Sequence, residues 1–476
     1  MKNLPARALV LLAVSALITT RGVLPASETA PAAGPALDRP SIIFILADDL
    51  GYGDLGCYGQ KRIGTPCIDR MASEGLRFTQ FYAGSTVCAP SRCVLMTGLH
   101  TGHCFIRGNS KENLRPGDIT VAEVLKRAGY ATGLVGKWGL GHEESTGVPT
   151  RKGFEYFFGY LDQTHAHNYY PSFLVRNEER VKLRNVVPDE GAYGQGVASV
   201  KVEYSHDLLT EDALVFIERN RKGPFFLYLA WTLPHANNEA GEGGMEVPDL
   251  GPYRDKDWPA PDRAHAAMIT RLDRDVGRIL EALRAHGIDR RTIVLFSSDN
   301  GPHHEGGANP NFFDSSGPLR GIKRDLYDGG IRVPLIVRWP GKVPAGIVSD
   351  HIGYFADFLP TAAELAAVEP PGGIDGISFV PTLLSRTVTQ KEHEYLYWEF
   401  YEQGFSLAVR MGKWKAVRNA HDKPLELYNL EAEIGEAHDV AEKHPDVVAR
   451  MHAILKEAHV PSAIWKAPGE AAKAKR

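Results

Sequence analysis

The sequence predicts an α/β protein: a mixed, mostly parallel central sheet flanked by helices, followed by a smaller C-terminal domain of antiparallel sheet plus helix. Three observations lead to this fold class. Up to about residue 385, short apolar runs alternate with longer helical segments, as in sheets with helices on both faces. Several of the apolar runs end in charged or amide residues, as buried parallel strands often do. Beyond that point the segments become aromatic and β-rich, with short turns.

The predicted elements follow in order along the chain. The first strand is SIIFILADD at 41–49, a buried run that ends in two acids. Three helix-and-strand pairs come next: TVAEVLKRAGY with ATGLVGKW, LLTEDALVFIERN with PFFLYLAW, and AAMITRLDRDVGRILEALRAHG with TIVLFSSDNG. VPLIVRW supplies a further strand. In the C-terminal domain EYLYWEFY, SLAVRMGKWKAV and LELYNL predict strands, and AEKHPDVVARMHAILKEAH predicts a helix.

The N-terminus has the layout of a secretory signal peptide. Lys2 and Arg7 precede the apolar run Ala8–Ile18 and a zone of small residues. This run is shorter than the roughly 20 apolar residues that a membrane span needs. We therefore expect an exported protein, periplasmic or secreted, without a membrane span. The predicted organisation is a signal peptide at 1–26, a disordered linker at 27–39, the α/β domain at 40–385, the C-terminal subdomain at 386–466 and a flexible tail at 467–476.

Composition and cysteine usage narrow the function classes. The 476 residues are 43% hydrophobic and 24% charged with a net charge of -4, so no basic surface for nucleic acid is predicted. An odd number of cysteines leaves at least one thiol unpaired in an exported chain. No CxxC spacing indicates a zinc site. The cysteines are at positions 57, 67, 88, 93 and 104. Disulfides among the four cysteines other than Cys88 are possible, and the sequence does not assign their pairing.

One motif points to a different chemistry. GYGDLG at 51–56 matches the G-x-G-x-x-G fingerprint of nicotinamide-dependent dehydrogenases, directly after a strand. Two features count against that function. Asp48 and Asp49 would repel a pyrophosphate, and the next residues, CYGQKRIGTP, offer no helix whose N-terminus could hold one. We expect the glycines instead to let this loop turn tightly around a cation.

Two pairs of oxygen-bearing side chains follow predicted strands. They are Asp48 with Asp49 and Asp299 with Asn300. Either pair alone is more often a solvated loop or a helix cap. In α/β sheets, however, ligands bind beyond the carboxyl ends of the strands, and clustered carboxylates need a cation to offset their repulsion. Hard oxygen ligands suit Ca²⁺ or Mg²⁺ and do not favour zinc or copper.

Cationic and imidazole groups are expected around this metal site. Lys137 and His235 each follow a predicted strand, and Arg92 and Lys323 are two further candidates. Singly, each is more often a surface charge or a structural histidine. Together, beside a divalent cation, these four groups would form a binding site for a small tetrahedral anion.

The motifs together resemble those of the type I sulfatases, the arylsulfatase-like enzymes that depend on formylglycine. The matching blocks are CAPSR at 88–92 with TG at 97–98, ADDLGYGDLGCYG near the start, GKW at 136–138, SDNG at 298–301 and GPLRGIKRDLYDGGIRVP at 317–334. They occur in the family's order and span residues 41–430, which is nearly the whole mature chain. The resemblance implies an alkaline-phosphatase-like fold and the hydrolysis of sulfate esters.

The resemblance also implies what Cys88 does. In this family a formylglycine-generating enzyme oxidises the signature cysteine to 3-oxoalanine (formylglycine) during export, and the aldehyde is hydrated to a geminal diol. One hydroxyl attacks the sulfur of a sulfate ester and displaces the alcohol. The other then loses its proton, which expels sulfate and regenerates the aldehyde. An ordinary serine sulfate would need water to attack sulfur again.

Position by position, the family pattern gives each residue a role. The implied metal ligands are Asp48, Asp49, modified Cys88, Asp299 and Asn300, and the implied ion is Ca²⁺, with Mg²⁺ as the alternative.

The remaining roles concern the reacting groups. Arg92 orients the diol and balances its charge, while Lys137 and Lys323 bind sulfate oxygens. His235 lies by the leaving oxygen and protonates it together with Lys323. Asp299 accepts the first proton of the diol.

The chain departs from the family pattern at one position. The block usually reads G-K-W-H, and the histidine takes the second proton of the diol; here the sequence is GKWGLGH, with Gly139 in that place. General-base help is typically worth about 10²–10⁴-fold, so another base is expected. We place His142 slightly ahead of the other loop imidazoles, which are His103, His165, His167, His303 and His304.

Two other functions stay open at this point. A phosphatase or phosphonate hydrolase shares the superfamily, although such enzymes often use Thr or Ser with two zinc ions. A catalytically impaired, glycan-binding homologue is the alternative outside enzymes. The loops QTHAHNYYP, PHANNE and HHEGGANPNFF carry polar and aromatic groups that suit sugars. We therefore expect a sulfated carbohydrate as the substrate, with galactose-type or N-acetylgalactosamine-type sulfates favoured.

Overall fold

The computed structural model describes residues 39–469 and is built on one ten-stranded sheet. Along the sheet the strand order is β11-β2-β10-β9-β1-β8-β4-β5-β6-β7. Its strands are β1 Ser41–Ala47, β2 Leu76–Phe78, β4 Ala131–Lys137, β5 Tyr156–Tyr160, β6 Phe173–Arg176, β7 Glu179–Lys182, β8 Phe225–Ala230, β9 Thr292–Ser298, β10 Leu335–Arg338 and β11 Ile347–Ser349. A separate two-stranded sheet joins β3 Phe81–Tyr82 and β12 Gly353–Tyr354.

The middle of the large sheet is parallel. Strand β1 pairs in parallel with β8 on one side and β9 on the other, and β4 pairs in parallel with β5 and β8. Strand β10 runs antiparallel to both its neighbours, and β5, β6 and β7 form an antiparallel edge. The predicted fold class, a mixed and mostly parallel sheet with helices, is confirmed.

Helices cover both faces of the sheet. Along β1, Phe44 points to one face and packs its ring on Phe358 at 4.6 Å. Ile43 and Ile45 lie on the other face, in a buried cluster with Leu272 and other residues of the longest helix. The helices are α1 Pro66–Ser73, α2 Cys88–Thr97, α3 Val121–Arg127, α4 Ser205–Asn220, α5 Ala260–Ala285, α6 Pro310–Phe313, α7 Asp328–Ile331, α8 Phe358–Leu365, α9 Val380–Leu383 and α10 Pro445–Glu457.

The C-terminal part forms the predicted antiparallel sheet and helix. Its four strands pair in sequence order, and the sheet packs against α10 through Val409, Met451 and Ile454. The strands are β13 Leu396–Phe400, β14 Ser406–Met411, β15 Trp414–Arg418 and β16 Glu426–Asn429. The boundary between domains at residue 385 stays a prediction.

Several predictions on the chain ends lie outside the described residues. They are the signal peptide, all of the linker before residue 39, and the last seven residues of the tail. Within 39–469, no helix combines the length and the apolar character that crossing a membrane requires. All five cysteines belong to the described part, and each is a free thiol, so the pairings left open by the sequence do not form here.

The glycines of GYGDLG allow a close contact between two segments of the chain. Residues 52–54 and 56–58 form only short 3-10 turns. The motif therefore lacks the helix N-terminus that would bind the pyrophosphate of a nicotinamide cofactor in a dehydrogenase. A Cβ on Gly51 would lie 2.1 Å from the Ser315 carbonyl oxygen, and the Gly53 N–H donates to the same oxygen at 2.7 Å. These glycines allow the loop to pack against the segment around Ser315, and the expectation that the loop turns around a cation stays a prediction.

Candidate active site

The two acidic pairs form one cluster because their strands are neighbours. Asp48 and Asp49 follow β1, and Asp299 and Asn300 follow β9, which runs beside β1 in the same direction. The Asp49 N–H donates to Asp299 Oδ1 at 3.1 Å, and Asn300 Nδ2 donates to Asp49 Oδ1 at 2.6 Å. All four side chains are buried. The structure therefore brings together the four oxygen-bearing residues that the sequence singled out.

Helix α2 adds two of the predicted residues to this cluster. Cys88 is its first residue and Arg92 lies one turn later, on the same face of the helix. The Cys88 thiol donates to Asp48 Oδ1 at 3.3 Å. The Arg92 guanidinium donates to Asp299 Oδ2 through Nη2 at 2.7 Å and Nε at 3.1 Å. The positive end of the helix dipole thus faces the acids.

Lys137 closes the cluster on one side. It is the last residue of β4, and its Nζ donates to Asp48 Oδ2 at 2.8 Å. Its carbonyl oxygen accepts from Arg92 Nη1 at 3.0 Å, so the backbone of β4 also fixes the guanidinium. Both cationic side chains are fully buried, where an unpaired charge would be very costly.

His235 and Lys323 lie on the other side, at Asp49. Lys323 Nζ donates to Asp49 Oδ2 at 2.8 Å and lies 3.3 Å from His235 Nε2. Sequence reasoning missed a further partner, Glu305, whose Oε2 accepts from Lys323 Nζ at 3.0 Å and whose Oε1 accepts from Arg324 at 2.7 Å. The available signal was an acid in HHEGG, four residues past the SDNG block.

Burial and neighbouring charges set the protonation of the cluster. Burial disfavours ionisation of Asp48, but the Lys137 and Arg92 charges outweigh it and hold the pKa of that carboxyl well below its usual value. Burial, reinforced by the charge on Asp48, raises the pKa of Asp299 to about 7. For Cys88, burial and the same Asp48 charge raise the thiol pKa well above its usual value. A raised pKa disfavours the thiolate, which is the form of cysteine that acts as a nucleophile.

The cationic groups keep their charge and His235 does not. Burial would lower the pKa of Lys137, but the Asp48 charge raises it on balance. Lys323 behaves in the same way beside Asp49. Burial and then the Lys323 charge hold the pKa of His235 well below its usual value. At neutral pH the site offers two ammonium groups and one neutral imidazole to an anion.

The carboxylate and amide oxygens of the cluster suit a hard divalent cation. One ligand atom each of Asp48, Asp49, Cys88 and His235 lies within 4.8 Å of the others. Asn300 Oδ1 is buried and has no hydrogen-bond partner among the described residues, although a buried amide oxygen normally has one. A cation bound to carboxylate and amide oxygens would satisfy that oxygen.

Further histidines surround His235, whereas His142 has other partners. The rings of His167 and His303 stack on His235 with centroids 4.8 Å and 5.9 Å away. His142 Nδ1 lies 3.1 Å from Asp162 Oδ2, and its ring packs on Tyr193. Its role as the base that replaces the family histidine stays a prediction.

Of the other three imidazoles named from the sequence, His304 is exposed, and His103 and His165 face elsewhere. His103 pairs with Asp375 at 2.9 Å. His165 is buried against Tyr160 and Phe173, and burial lowers its pKa to about 4.

A parallel sheet that carries acids, an amide and buried cations at its carboxyl end suits a hydrolase that acts on anionic esters. The profile of the sulfatase family matches residues 40–368, and that of the C-terminal part of N-sulphoglucosamine sulphohydrolase matches residues 322–460. The chain belongs to the sulfatase family and is a sulfuric ester hydrolase. The resemblance seen in the sequence is confirmed, and so is the alkaline-phosphatase-like fold that it implied.

Relatives extend over most of the chain. It is 34% identical to N-acetylgalactosamine-6-sulfatase of Sus scrofa, over 79% of this chain and 71% of the relative. It is 31% identical to arylsulfatase A of Homo sapiens, over 93% of this chain and 92% of the relative. The crystal structure of Ps i-CgsB in complex with k-i-k-neocarrahexaose superposes with a TM-score of 0.75 at 28% identity, covering 88% of this chain and 93% of that one.

Proposed function

We propose that this sulfatase removes sulfate from a sulfated carbohydrate, using residue 88 as formylglycine and a divalent cation at the two acidic pairs. One observation carries the proposal: the Cys88 thiol lies 3.3 Å from Asp48, inside a cluster of oxygen ligands and buried cations, where burial raises the pKa of the thiol. A protonated thiol is a weak nucleophile and a poor ligand for a hard cation. Its oxidised form would place oxygen, a good ligand and nucleophile, at the same point.

The cation is Ca²⁺ in this proposal, with Mg²⁺ as the alternative. Asp48, Asp49, Asp299, Asn300 and residue 88 would hold it. When bound, it supplies positive charge that offsets the clustered carboxylates and stabilises negative charge on the reacting oxygens. The unpartnered Asn300 Oδ1 supports this ligand set, because only a donor or a cation would satisfy it.

The formylglycine supplies a hydrated aldehyde, which offers one hydroxyl for attack on sulfur and a second for sulfate release. The protein's own residues prepare the site for it. Arg92 is fixed by Asp299 and by the Lys137 carbonyl, so its charge stays beside residue 88. Asp299 is the proposed acceptor of the first proton. Arg92 and a bound cation would both favour its ionised form, which is the form that accepts a proton.

The two lysines and His235 form the anion site. Lys137 and Lys323 each pair with a different acid of the cluster, Asp48 and Asp49 respectively. A sulfate group between them would replace part of those ion pairs by hydrogen bonds to its oxygens. His235, in contact with Lys323, is the proposed partner of the leaving oxygen. The proton comes from the Lys323 ammonium group, because the imidazole of His235 is neutral.

A sulfated carbohydrate is the proposed substrate class. Two of the relatives named above support it: one is an N-acetylgalactosamine-6-sulfatase, and the other was solved in complex with k-i-k-neocarrahexaose. Each of the three polar loops seen in the sequence contributes a residue to the site. His167 of QTHAHNYYP stacks on His235 of PHANNE, and Glu305 of HHEGGANPNFF contacts Lys323. Such carboxylate and imidazole groups suit sugar hydroxyls. A panel of sulfated monosaccharides of the galactose and N-acetylgalactosamine types should identify the sugar and the position.

Export and maturation complete the proposal. We propose that the chain is exported to the periplasm or secreted, and that a formylglycine-generating enzyme recognises CAPSR at 88–92 and oxidises Cys88 on the way. The signal-like N-terminus of the sequence supports export.

A turnover assay tests the proposed reaction. The purified protein should hydrolyse a chromogenic aryl sulfate and should prefer it to the matching aryl phosphate and aryl phosphonate. Preference for the phosphorus esters would favour the phosphatase or phosphonate hydrolase alternative. No turnover of any ester, with residue 88 modified, would instead indicate a glycan-binding protein.

Metal removal is expected to abolish this activity. A cation that stabilises charge in the transition state contributes several kcal/mol, so extensive chelation should reduce turnover by at least about 10²-fold. Addition of Ca²⁺ or Mg²⁺ should restore it, as measured with the aryl sulfate. Recovery with Zn²⁺ alone would contradict the oxygen-ligand site.

A further inference from the structure

Another side chain occupies the space beside Gly139, the position where this chain lacks a histidine. A Cβ on Gly139 would lie 2.5 Å from Gln163 Oε1, closer than real Cβ atoms come, so Gln163 would have to move to make room for a side chain there. The Gly139 N–H also donates to the Leu161 carbonyl at 3.0 Å, so the two segments are held together. Gly139 has φ 74°, in the region that favours glycine. The absent side chain and Gln163 therefore share one space.

The orientation of the Gln163 amide follows from a backbone group. Ala89, next to residue 88, donates its N–H to Asn109 Oδ1 at 3.1 Å. A backbone N–H is always a donor, so this contact fixes the oxygen of Asn109. The same oxygen lies 2.7 Å from Gln163 Nε2, which must then be the NH₂ group. The relay from Ala89 through Asn109 to Gln163 thus fixes where Gln163 Oε1 points.

Gln163 Oε1 is the end of that relay and has no partner of its own. It is buried and makes no hydrogen bond with any described residue. A buried carbonyl-type oxygen of this kind normally accepts a hydrogen bond. An amide oxygen accepts hydrogen bonds but is too weak a base to take a proton at neutral pH. It can therefore orient a hydroxyl group or a water without deprotonating it.

We propose that Gln163 is a positioning residue of this active site. It fills the space left by Gly139, steadies the first turn of helix α2 through Asn109, and offers Oε1 as an oriented acceptor to a hydroxyl group or water next to residue 88. The proposal rests on the proposed function, since it assigns Gln163 to the same reaction. It leaves the proton acceptor itself to another group.

The test separates hydrogen bonding from space filling. Gln163→Met keeps an unbranched side chain of similar size and removes the amide. Asn109→Ala breaks the relay at its middle. Gln390→Met is the matched control, because Gln390 bridges Ser378 and Thr382 with its own amide in a different part of the chain. All three variants are compared with wild type in kcat, in KM and in amide hydrogen exchange at Ala89.

The expected results are specific to the relay. Gln163→Met and Asn109→Ala should each lower kcat about 10-fold, the factor that corresponds to one hydrogen bond, with KM within about 2-fold. Both should speed exchange of the Ala89 amide, and Gln390→Met should change neither quantity. Wild-type kcat in Gln163→Met, or unchanged exchange at Ala89, overturns the proposal.

The exchange measurement uses protein whose residue 88 is still a thiol, so it does not depend on maturation. A wild-type protein without sulfatase turnover would refute the proposed function, while the exchange data would still report on the relay. A normal turnover in wild type and in Gln163→Met would refute the role of Gln163 alone.

Discussion

Cys88→Ala should abolish sulfate ester hydrolysis while leaving the fold intact. The proposed nucleophile is an oxygen on residue 88, and alanine can be neither oxidised to formylglycine nor attack sulfur. Loss of the nucleophile in covalent catalysis costs on the order of 10⁶-fold in kcat. The side chain makes one hydrogen bond, to Asp48, so the loss of folding free energy should be about 1 kcal/mol. Turnover of an aryl sulfate and the thermal midpoint measure the two effects.

Cys93→Ala is the matched control for that variant. Cys93 lies in the same helix and is also a buried free thiol, but none of its described contacts reaches the acidic cluster. It should keep turnover within a few-fold of wild type, with a similar small loss of stability. If Cys88→Ala kept more than a few per cent of wild-type turnover, residue 88 would not carry the nucleophile.

Asp299→Ala should cost much more activity than Asn300→Ala. Asp299 is a proposed charged ligand and the proposed proton acceptor, and general-base help alone is worth about 10²–10⁴-fold. Asn300 would contribute one neutral ligand oxygen. Asp299 also accepts two hydrogen bonds from Arg92. Its removal leaves a buried guanidinium without its main partner, which costs about 3–5 kcal/mol of stability.

Asp299→Asn separates the chemistry from the folding effect. It keeps the shape and an acceptor oxygen for Arg92, but it removes the charge and the ability to take a proton. Its turnover of an aryl sulfate should stay close to that of Asp299→Ala, while its thermal midpoint moves toward wild type. Equal turnover in Asp299→Ala and Asn300→Ala would contradict the role of Asp299 as proton acceptor.

The sequence predicted the centre of the fold better than its edges. Buried parallel strands such as β1 and β9 are continuous apolar runs, and the apolar residues of the long helix α5 recur with helical spacing. The local sequence therefore predicts both kinds of element. The antiparallel direction of β10 and the edge formed by β5, β6 and β7 depend on pairing between distant segments. A strand of four residues carries no signal for its direction.

Some residues of the candidate site could likewise be predicted from the sequence, and others could not. Residues placed directly after strands, such as Asp49 and Asp299, could be expected at one edge because parallel strands end together. Cys88 and Lys323 lie on a helix and a loop, and only the family resemblance connected them to that edge. Glu305 and Gln163 were missed because their roles come from contacts with Lys323 and Asn109 that no local pattern records.

The mass of the peptide that carries residue 88 tests the central claim most directly. Protein is purified from a host that has the formylglycine-generating enzyme, its turnover of an aryl sulfate is measured, and the same sample is digested for mass spectrometry. The peptide should have lost the mass difference between a thiol and an aldehyde, and the modified fraction should rise with specific activity. Fully active protein with an unmodified Cys88 thiol would contradict the central claim.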